Sequence, residues 1–234
     1  MTAATRLWVA LLALLAVGAT PPLDPVNPTC PLNPGWSLKP KMEFRAFKVD
    51  GRLIIAGEGR IDAGVVTRLE AFLAKHPDPH EVWLSSPGGD ARAGNAAGRL
   101  LRETLDVETR VPAGWACYSS CNFVFMGGRK RTIDPGGQFI VHMFTQTNDR
   151  DSIDMSVAMG TDATTELIGA IEQDAAMLAT EDNDFLIRMG VSRKLLTDIM
   201  YRQKAVAGSG SDRSTRRCLT IDEAIRYGVM SKPD

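Results

Sequence analysis

The sequence predicts an α/β protein in which helices cover a largely parallel sheet. Between residues 43 and 143, two kinds of segment alternate along the chain. Short segments that are apolar, or in which apolar and polar residues alternate, are followed by segments that favour helix. This alternation is typical of strands joined by crossover helices. Two of the strand segments end at turns rich in glycine or serine, and ligands bind at the carboxyl ends of parallel strands. We therefore expect a functional site where these two turns meet.

The first part of this region predicts a hairpin, a helix and a buried strand. Residues 43–49 and 52–57 are predicted strands joined by an Asp-Gly turn. Asp62 is expected to cap a helix whose apolar residues follow at helical spacing. Residues 82–84 form the predicted buried strand, which ends at a Pro-Gly-Gly turn.

The next elements continue the same alternation. We predict helices over residues 91–103 and 117–126, and strands over residues 107–111, 132–133 and 138–143. Both the Pro-Gly-Gly turn and the serine turn at the start of the second helix then lie at the carboxyl ends of strands.

The last third of the chain is predicted to be mainly helical. Residues 151–189 are rich in Ala, Met, Leu and Glu and contain no proline, which favours a long helix. Ser192 is expected to cap a second helix that runs to Met200. Thr220 and Glu223 have the spacing of a capping box at the start of a final short helix.

The amino-acid composition restricts the classes of function that are open to this chain. The 234-residue chain is long enough for one well-buried domain. Its 27 Lys and Arg residues balance 28 Asp and Glu residues, so no strong field favours nucleic acid as a partner. Only three histidines and four cysteines are available for a metal site, and we expect no metal and no other cofactor.

The N-terminus has the pattern of a signal peptide. Arg6 precedes an apolar run over residues 7–17, which is short for a membrane span, and small residues follow it. We divide the chain into a signal peptide (1–19), a Pro-rich arm with little regular structure (20–41) and one domain (42–234). The expected location is the periplasm or the cell exterior, with no stable membrane span after cleavage.

Export changes what the cysteines predict. In an oxidising compartment Cys30, Cys117, Cys121 and Cys218 form an even set that permits three pairings. One of them joins Cys117 to Cys121 and leaves Cys30 for Cys218. Because cysteines four apart on a regular helix are poorly oriented for a bridge, this pairing requires a turn between them. Buried free thiols are the alternative.

The segments from Ser85 to His142 supply the parts of a serine hydrolase. Ser119 is expected at a strand-to-helix junction and His142 on an apolar strand, where the imidazole would take the proton of the hydroxyl. The backbone N–H groups of Ser120 and Gly89 are candidate donors to the oxyanion of acyl transfer. Each feature also occurs as an ordinary turn, helix cap or core histidine. Their order and spacing favour the joint interpretation.

Four segments resemble the ATP-dependent Clp protease proteolytic subunit (ClpP) and its superfamily. They are Ser86-Pro87-Gly88-Gly89, a serine turn followed by Phe125-Met126-Gly127-Gly128-x-x-Arg131, Ile140-Val141-His142, and the tail from Leu219 to Val229. The Cys-x-Ser-x-Cys motif in an exported chain is more narrowly similar to periplasmic ClpP-like proteins. The resemblance covers residues 52–232.

This resemblance implies the ClpP/crotonase spiral of β-β-α units, with a long helix in the C-terminal half. It implies that Ser119 is the nucleophile, His142 the base, and Gly89 and Ser120 the oxyanion donors. It further implies a peptide or protein substrate and a homo-oligomer that packs through the helix over residues 151–189.

The sequence departs from the family at the aspartate that orients the catalytic histidine. Laying Gly190-Val191-Ser192 on the family's Gly-x-Ser break puts Ile199 at the aspartate's position. Asp198, one residue away, and Asp212, in the following loop, are the candidates, and otherwise the orienting group is missing. Its loss would reduce activity, because this aspartate fixes the histidine tautomer and stabilises the imidazolium.

We therefore predict an exported ClpP-like serine peptidase that acts without ATP, since export would separate it from ATP-driven partners. One alternative is a ClpP-fold binding or assembly module with little or no activity, which the poorly placed aspartate favours. The other is a crotonase-like acyl-CoA enzyme, whose fold also uses paired N–H donors. Export and the serine–histidine pair count against the acyl-CoA enzyme.

Overall fold

The computed structural model of the chain describes residues 22–104, 106–147, 149–204 and 215–232. The predicted signal peptide (1–19) and Asp212 lie outside these ranges. Within them, no helix is both long and apolar enough to cross a membrane.

Strands and helices alternate through the first two thirds of the chain. The strands are β1 (Glu43–Val49), β2 (Arg52–Glu58), β3 (Glu81–Ser85), β4 (Glu108–Val111), β5 (Ala116–Tyr118), β6 (Lys130–Ile133), β7 (Gln138–His142) and β8 (Arg216–Cys218). The α-helices are α1 (Val65–Leu73), α2 (Ala91–Thr104), α3 (Cys121–Met126), α4 (Arg150–Met159), α5 (Thr161–Met189) and α6 (Ile221–Arg226). The α/β class is confirmed.

The strands form two sheets. The larger sheet has the order β1-β2-β3-β4-β6, in which β1 and β2 are the predicted antiparallel hairpin and the remaining neighbours are parallel. The smaller sheet has the order β5-β7-β8, with β5 parallel and β8 antiparallel to β7. The carboxyl ends of β5 and β7 therefore lie side by side.

The prediction of a helix beginning at residue 117 was wrong by four residues. Cys117 and Tyr118 belong to β5, where they pair with Phe139 and Ile140 of β7, and α3 begins at Cys121. Both side chains are buried in the strand. Burial against a neighbouring strand overrides local helix preference here.

The helical prediction for residues 151–189 was correct in type but not in continuity. Gly160 has φ +108°, which interrupts the segment and separates α4 from the 29-residue α5. The expected helix after Ser192 is a π-helical turn over Leu195–Ile199 followed by a 3-10 turn over Met200–Arg202. The capping box of Thr220 and Glu223 is present at the start of α6.

Close helix packing fixes the position of the serine turn. Three fully buried phenylalanines, Phe125 of α3, Phe139 of β7 and Phe185 of α5, join these elements in one core. Glycines in α2 let α3 approach, and a Cβ atom at Gly94 would lie 2.9 Å from the Cβ of Ser120. The N-terminus of α3 is thereby held against α2.

Arg131 of β6 ties the ends of several elements together. Its guanidinium donates hydrogen bonds to the carbonyl oxygens of Met126, Gly128 and Met189 at 3.1–3.2 Å. It also donates to that of Gly228 at 2.9 Å. Burial lowers the pKa of Arg131 to about 10, so the group remains charged at neutral pH. The last arginine of the Gly-Gly-x-x-Arg segment is a structural clamp.

Two disulfides are present, and they have the pairing that required a turn at the serine motif. Cys117 is bonded to Cys121 and Cys30 to Cys218, and the described residues contain no free cysteine. Residues 22–41 form turns and isolated bridges but no helix and no extended strand. The Cys30–Cys218 bond and a hydrogen bond from Asn27 to the Arg216 carbonyl attach this segment to β8.

Candidate active site

Ser119 and His142 meet at the shared edge of the smaller sheet. Ser119 directly follows β5, His142 ends β7, and the Ser119 Oγ lies 2.7 Å from the His142 Nε2. Both residues are half-buried. This is the hydrogen-bond distance that a general base needs to take a hydroxyl proton. The two residues that the sequence predicted as a pair are in contact.

The backbone of β7 holds this pair in register. The Ile140 carbonyl, two residues before His142, accepts a hydrogen bond from the Ser119 N–H at 3.3 Å. It also accepts one from the Asn122 side chain at 2.8 Å. Because Asn122 belongs to α3, the strand that carries the imidazole is tied to both sides of the serine turn.

The serine turn itself is locally strained. Ser119 has φ +58°, in the left-handed region that residues other than glycine rarely adopt. Such a conformation costs about 1–3 kcal/mol and persists where surrounding structure imposes it. The Cys117–Cys121 bond spans the turn, with the two Cα atoms 5.3 Å apart. The disulfide therefore closes the loop that presents Ser119.

The Pro-Gly-Gly turn packs directly against the serine turn. Gly88 has φ +79°. A Cβ atom there would lie 2.6 Å from the Ser119 Cβ and 2.6 Å from the backbone carbonyl oxygen of Tyr118. The turn is fixed from the other side by the Ile61 N–H, which donates to the Gly88 oxygen at 2.9 Å. Only glycine permits the two turns to approach this closely.

Two backbone donors at this contact remain available. Within the described part of the chain, the N–H groups of Gly89 and Ser120 donate no hydrogen bond to protein. Both residues line the same cavity as Ser119 and His142. Unsatisfied N–H groups in residues that line a cavity beside a serine hydroxyl are suited to hold a developing oxyanion.

The neighbouring serines lie in different environments. Ser119 is half-buried and reaches His142, whereas Ser120 is 2% exposed. The buried hydroxyl of Ser120 has no hydrogen-bond partner among the described residues. A Cβ atom at Gly94 would touch the Ser120 side chain, which packs it towards α2. Of the two hydroxyls, only that of Ser119 therefore contacts the imidazole.

An aromatic ring supports the imidazole. The Tyr118 ring centroid lies 4.9 Å from that of His142, and the Arg216 guanidinium lies 5.1 Å from the Tyr118 ring. Arg216 also pairs with His142 in the β7–β8 ladder. Neither Tyr118 nor Arg216 was singled out from the sequence, since only the pairing of β5, β7 and β8 brings them to the histidine.

A cavity of about 430 Å³ is lined by Ser119 and His142, and its volume is within the range of small-molecule and side-chain sites. Its walls are mainly apolar and include Phe123, Met126, Phe139, Leu186, Leu196 and Met200. Asp182 of α5 also lines it. Burial, followed by the negative charge of Glu181, raises the pKa of Asp182 to about 7.

The sequence did not single out Asp182. The signal for it is an acidic residue that replaces an apolar one in the helical series Leu178, Asp182, Leu186. That signal has meaning only once α5 is known to cover the cavity.

Asp198 does not join the other candidate residues. It lies in the π-helical turn, where its Oδ1 accepts a hydrogen bond from the Thr197 hydroxyl at 3.3 Å. Its neighbours Leu195, Leu196 and Met200 line the cavity, whereas Asp198 does not. The turn thus presents its apolar side to the site. The structure brings together Ser119, His142, Gly89 and Ser120 without Asp198.

Within the described ranges, no cluster of three or more His, Cys, Asp or Glu side chains could hold a metal ion.

Comparison with solved structures identifies the fold. A mutant of ClpP1 from Listeria monocytogenes matches with a TM-score of 0.51 and 14% identity, over 76% of this chain and 88% of that chain. The chain has the ClpP-like protease fold. A mutant of the 1510-N membrane-bound stomatin-specific protease has a TM-score of 0.48 and 14% identity, over 76% of this chain and 75% of that chain. No family model and no curated protein matches the sequence.

Proposed function

We propose that this chain is an exported serine peptidase of the ClpP-like fold that hydrolyses peptide bonds without ATP. The observation that carries the proposal is the 2.7 Å contact between the Ser119 Oγ and the His142 Nε2. Gly89 and Ser120, whose N–H groups donate no hydrogen bond to the described part of the protein, line the same cavity as this contact. Nucleophile, base and oxyanion donors are the minimum set for acyl transfer.

The chemistry follows from this arrangement in two steps. The Ser119 Oγ attacks the peptide carbonyl while His142 takes its proton, and the N–H groups of Gly89 and Ser120 hold the resulting oxyanion. His142 then protonates the leaving amine as the C–N bond breaks, which leaves an acyl ester on Ser119. Water, deprotonated by His142, attacks this ester and releases the carboxylate product and the serine hydroxyl.

Export is supported by two independent features. Arg6 and the apolar run that follows it have the pattern of a signal peptide. All four cysteines are in disulfides, which persist in oxidising compartments. In such a compartment the chain would act on peptides or proteins without an ATP-driven unfoldase.

One observation favours the alternative of a binding module with little activity. Asp198, the closest candidate in sequence for the third triad residue, does not line the cavity. Loss of the orienting aspartate lowers kcat about 10⁴-fold in serine proteases that depend on it. The reactivity of Ser119 distinguishes a peptidase from a module.

The test is covalent labelling of the purified protein with a fluorophosphonate, which reacts with activated serines. We expect labelling of the wild type, loss of labelling in Ser119→Ala and His142→Ala, and retention in Ser120→Ala, since Ser120 acts through its backbone. Asp198→Asn should label within about twofold of the wild type, because its side chain is outside the cavity. The readout is the labelling rate, with circular dichroism to verify folding.

Two results would contradict the proposal. No labelling of the folded wild type between pH 6 and 9 would assign the chain to the binding module. Labelling that survives Ser119→Ala but is lost in Ser120→Ala would move the nucleophile by one residue.

A further inference from the structure

One face of α5 forms a wall of the cavity beside the reactive pair. Leu178, Asp182 and Leu186 are spaced four residues apart on this helix, so they share a face, and all three line the cavity. The two leucines are buried. Asp182 thus lies between Leu178 and Leu186 in the wall of the cavity that Ser119 also lines.

The Asp182 carboxylate is available to a ligand. It is the only carboxylic acid among the described residues that line the cavity. No hydrogen bond or ion pair engages it within the described part of the chain. The other acids of this helix segment behave differently, since Asp174 and Glu181 pair with Arg92 and Asp184 pairs with Arg99.

The groups around Asp182 leave its charge uncompensated. Glu181 adds negative charge, and the charge of Asp182 contributes, after burial, to the raised pKa of Tyr201. From the other walls, His142 and the exposed Arg60 reach the cavity, and neither forms an ion pair with Asp182. A cation that entered the cavity would meet a carboxylate without a partner.

We propose that Asp182 makes this cavity selective for a substrate side chain with a cationic end, as in lysine or arginine. The proposal rests on the proposed function, because it assigns the cavity to the substrate residue whose carbonyl Ser119 attacks. The apolar walls contact the methylene groups of that side chain, and the Asp182 carboxylate accepts hydrogen bonds from its ammonium or guanidinium.

This selectivity depends on pH in a direction that the structure sets. Since burial raises the pKa of Asp182 to about 7, the carboxylate is mostly protonated at pH 5.5 and mostly ionised at pH 8.5. Preference for a cationic over a neutral side chain of equal length therefore rises with pH across this range. Asp182→Asn retains His142, so the difference between the ratios of the wild type and the variant isolates the contribution of the carboxylate.

The test uses two peptidyl phosphonate diphenyl esters that differ only in the side chain next to phosphorus, a lysine or a norleucine analogue. Ser119 displaces phenolate from phosphorus, so inactivation rates report binding at the reactive pair. At pH 8.5 the lysine analogue should inactivate the wild type about 10- to 100-fold faster, as expected for a hydrogen bond to a charged group. The ratio should fall at pH 5.5. Asp182→Asn should bring it near one at both pH values, while Asp174→Asn should preserve it.

A second arm does not require catalysis. The Ser119→Ala variant is titrated calorimetrically with peptides that end in lysine or norleucine, and lysine should bind more tightly only while Asp182 is present. Equal rates in the wild type, or a preference retained in Asp182→Asn, would overturn the assignment of Asp182. The wild-type comparison needs no variant, so it stands even if Asp182→Asn misfolds.

The two arms separate this inference from the proposed function. If neither the phosphonates nor a fluorophosphonate reacts but lysine binding depends on Asp182, the peptidase proposal fails and the cation site stands. If the fluorophosphonate reacts but neither arm shows a preference for lysine, the cation site fails and the peptidase proposal stands.

Discussion

At the scale of single residues, chemically identical side chains lie in different positions relative to the cavity. Ser119 and Ser120 are neighbours, yet only Ser119 reaches His142. Asp182 and Asp184 are on one helix, yet only Asp182 faces the cavity. Side-chain chemistry defines what each residue is able to do, and its surroundings select whether it does so.

The pH dependence of stability tests the environment of Asp182 without any activity. Its pKa is raised from 3.8 to about 7 in the folded protein, so the folded state holds a proton that the unfolded state releases between these values. The contribution of Asp182 to the free energy of unfolding of the wild type therefore falls as pH rises from 4 to 7. Asp182→Asn removes that titration, so the variant should gain stability relative to the wild type across this window, by at most about 4 kcal/mol.

Urea unfolding at pH 4, 5.5, 7 and 8.5 measures this difference. Asp184→Asn is the matched control with the opposite sign, because a hydrogen bond from Arg99 holds the pKa of Asp184 below its usual value. That variant should be less stable than the wild type by an amount that is nearly constant from pH 5.5 to 8.5, because the titration of a carboxyl with a lowered pKa is complete at or below its usual range. A stability difference for Asp182→Asn that does not change with pH would exclude a raised pKa.

At the scale of elements, the site is a junction of three segments. The strained serine turn follows β5, the Pro-Gly-Gly turn follows β3, and β7 supplies the histidine. The Ile140 carbonyl accepts hydrogen bonds that join β7 to the serine turn. Gly88, which has no side chain, lets the Pro-Gly-Gly turn pack against the serine turn. None of the three segments forms a site alone.

The two disulfides should have separable effects at this scale. In the chain-entropy estimate, the Cys30–Cys218 bond, which closes a loop with a sequence separation of 188, contributes about 5 kcal/mol to stability. The Cys117–Cys121 bond, with a separation of 4, contributes about 2 kcal/mol. The short bond, however, closes the turn in which Ser119 has φ +58°. We expect its removal to slow labelling of Ser119 at least tenfold.

The experiment compares two double variants, Cys117→Ala with Cys121→Ala, and Cys30→Ala with Cys218→Ala. The first should lose more reactivity and the second more stability, measured as labelling rate and urea midpoint under conditions in which both remain folded. Unchanged labelling in the first variant would show that packing alone maintains the serine turn.

At the scale of the whole molecule, the helices after β7 have two different surfaces. Towards the cavity, α5 contributes buried leucines and Asp182. Away from it, large apolar side chains are exposed on α4 and α5. They are Met155, Val157, Met159, Ile168, Met177 and Ile187. Large apolar side chains exposed on two helices that pack together favour an interaction surface.

We predict that this surface mediates a homo-oligomer. Met155 and Met159 are 64% and 71% exposed, so replacing both by glutamate should not disturb the core but should place charges in a buried interface. Size-exclusion chromatography with light scattering should show a lower mass for Met155→Glu/Met159→Glu than for the wild type. Leu38→Glu is the control, since Leu38 is 86% exposed outside these helices. A wild-type monomer would refute the prediction.

Much of the architecture could be predicted because it depends on local patterns. Alternation fixed the β1–β2 hairpin, and the capping box fixed the start of α6. Prediction failed where a distant partner or a single backbone angle decides. Cys117 and Tyr118 are in a strand because β7 pairs with them, and Gly160 divides the long helical segment.

For the site, the sequence by itself determined which chemical groups are present and in what order. It specified a glycine turn, a serine turn between two cysteines, and a histidine on an apolar strand, because these features depend on residue type and short spacing. Only the tertiary structure decided which groups meet. It set Ser119 against His142, left Asp198 outside the cavity and placed Asp182 within it. Those distances depend on how β5, β7 and α5 pack, and such packing joins residues far apart in the chain.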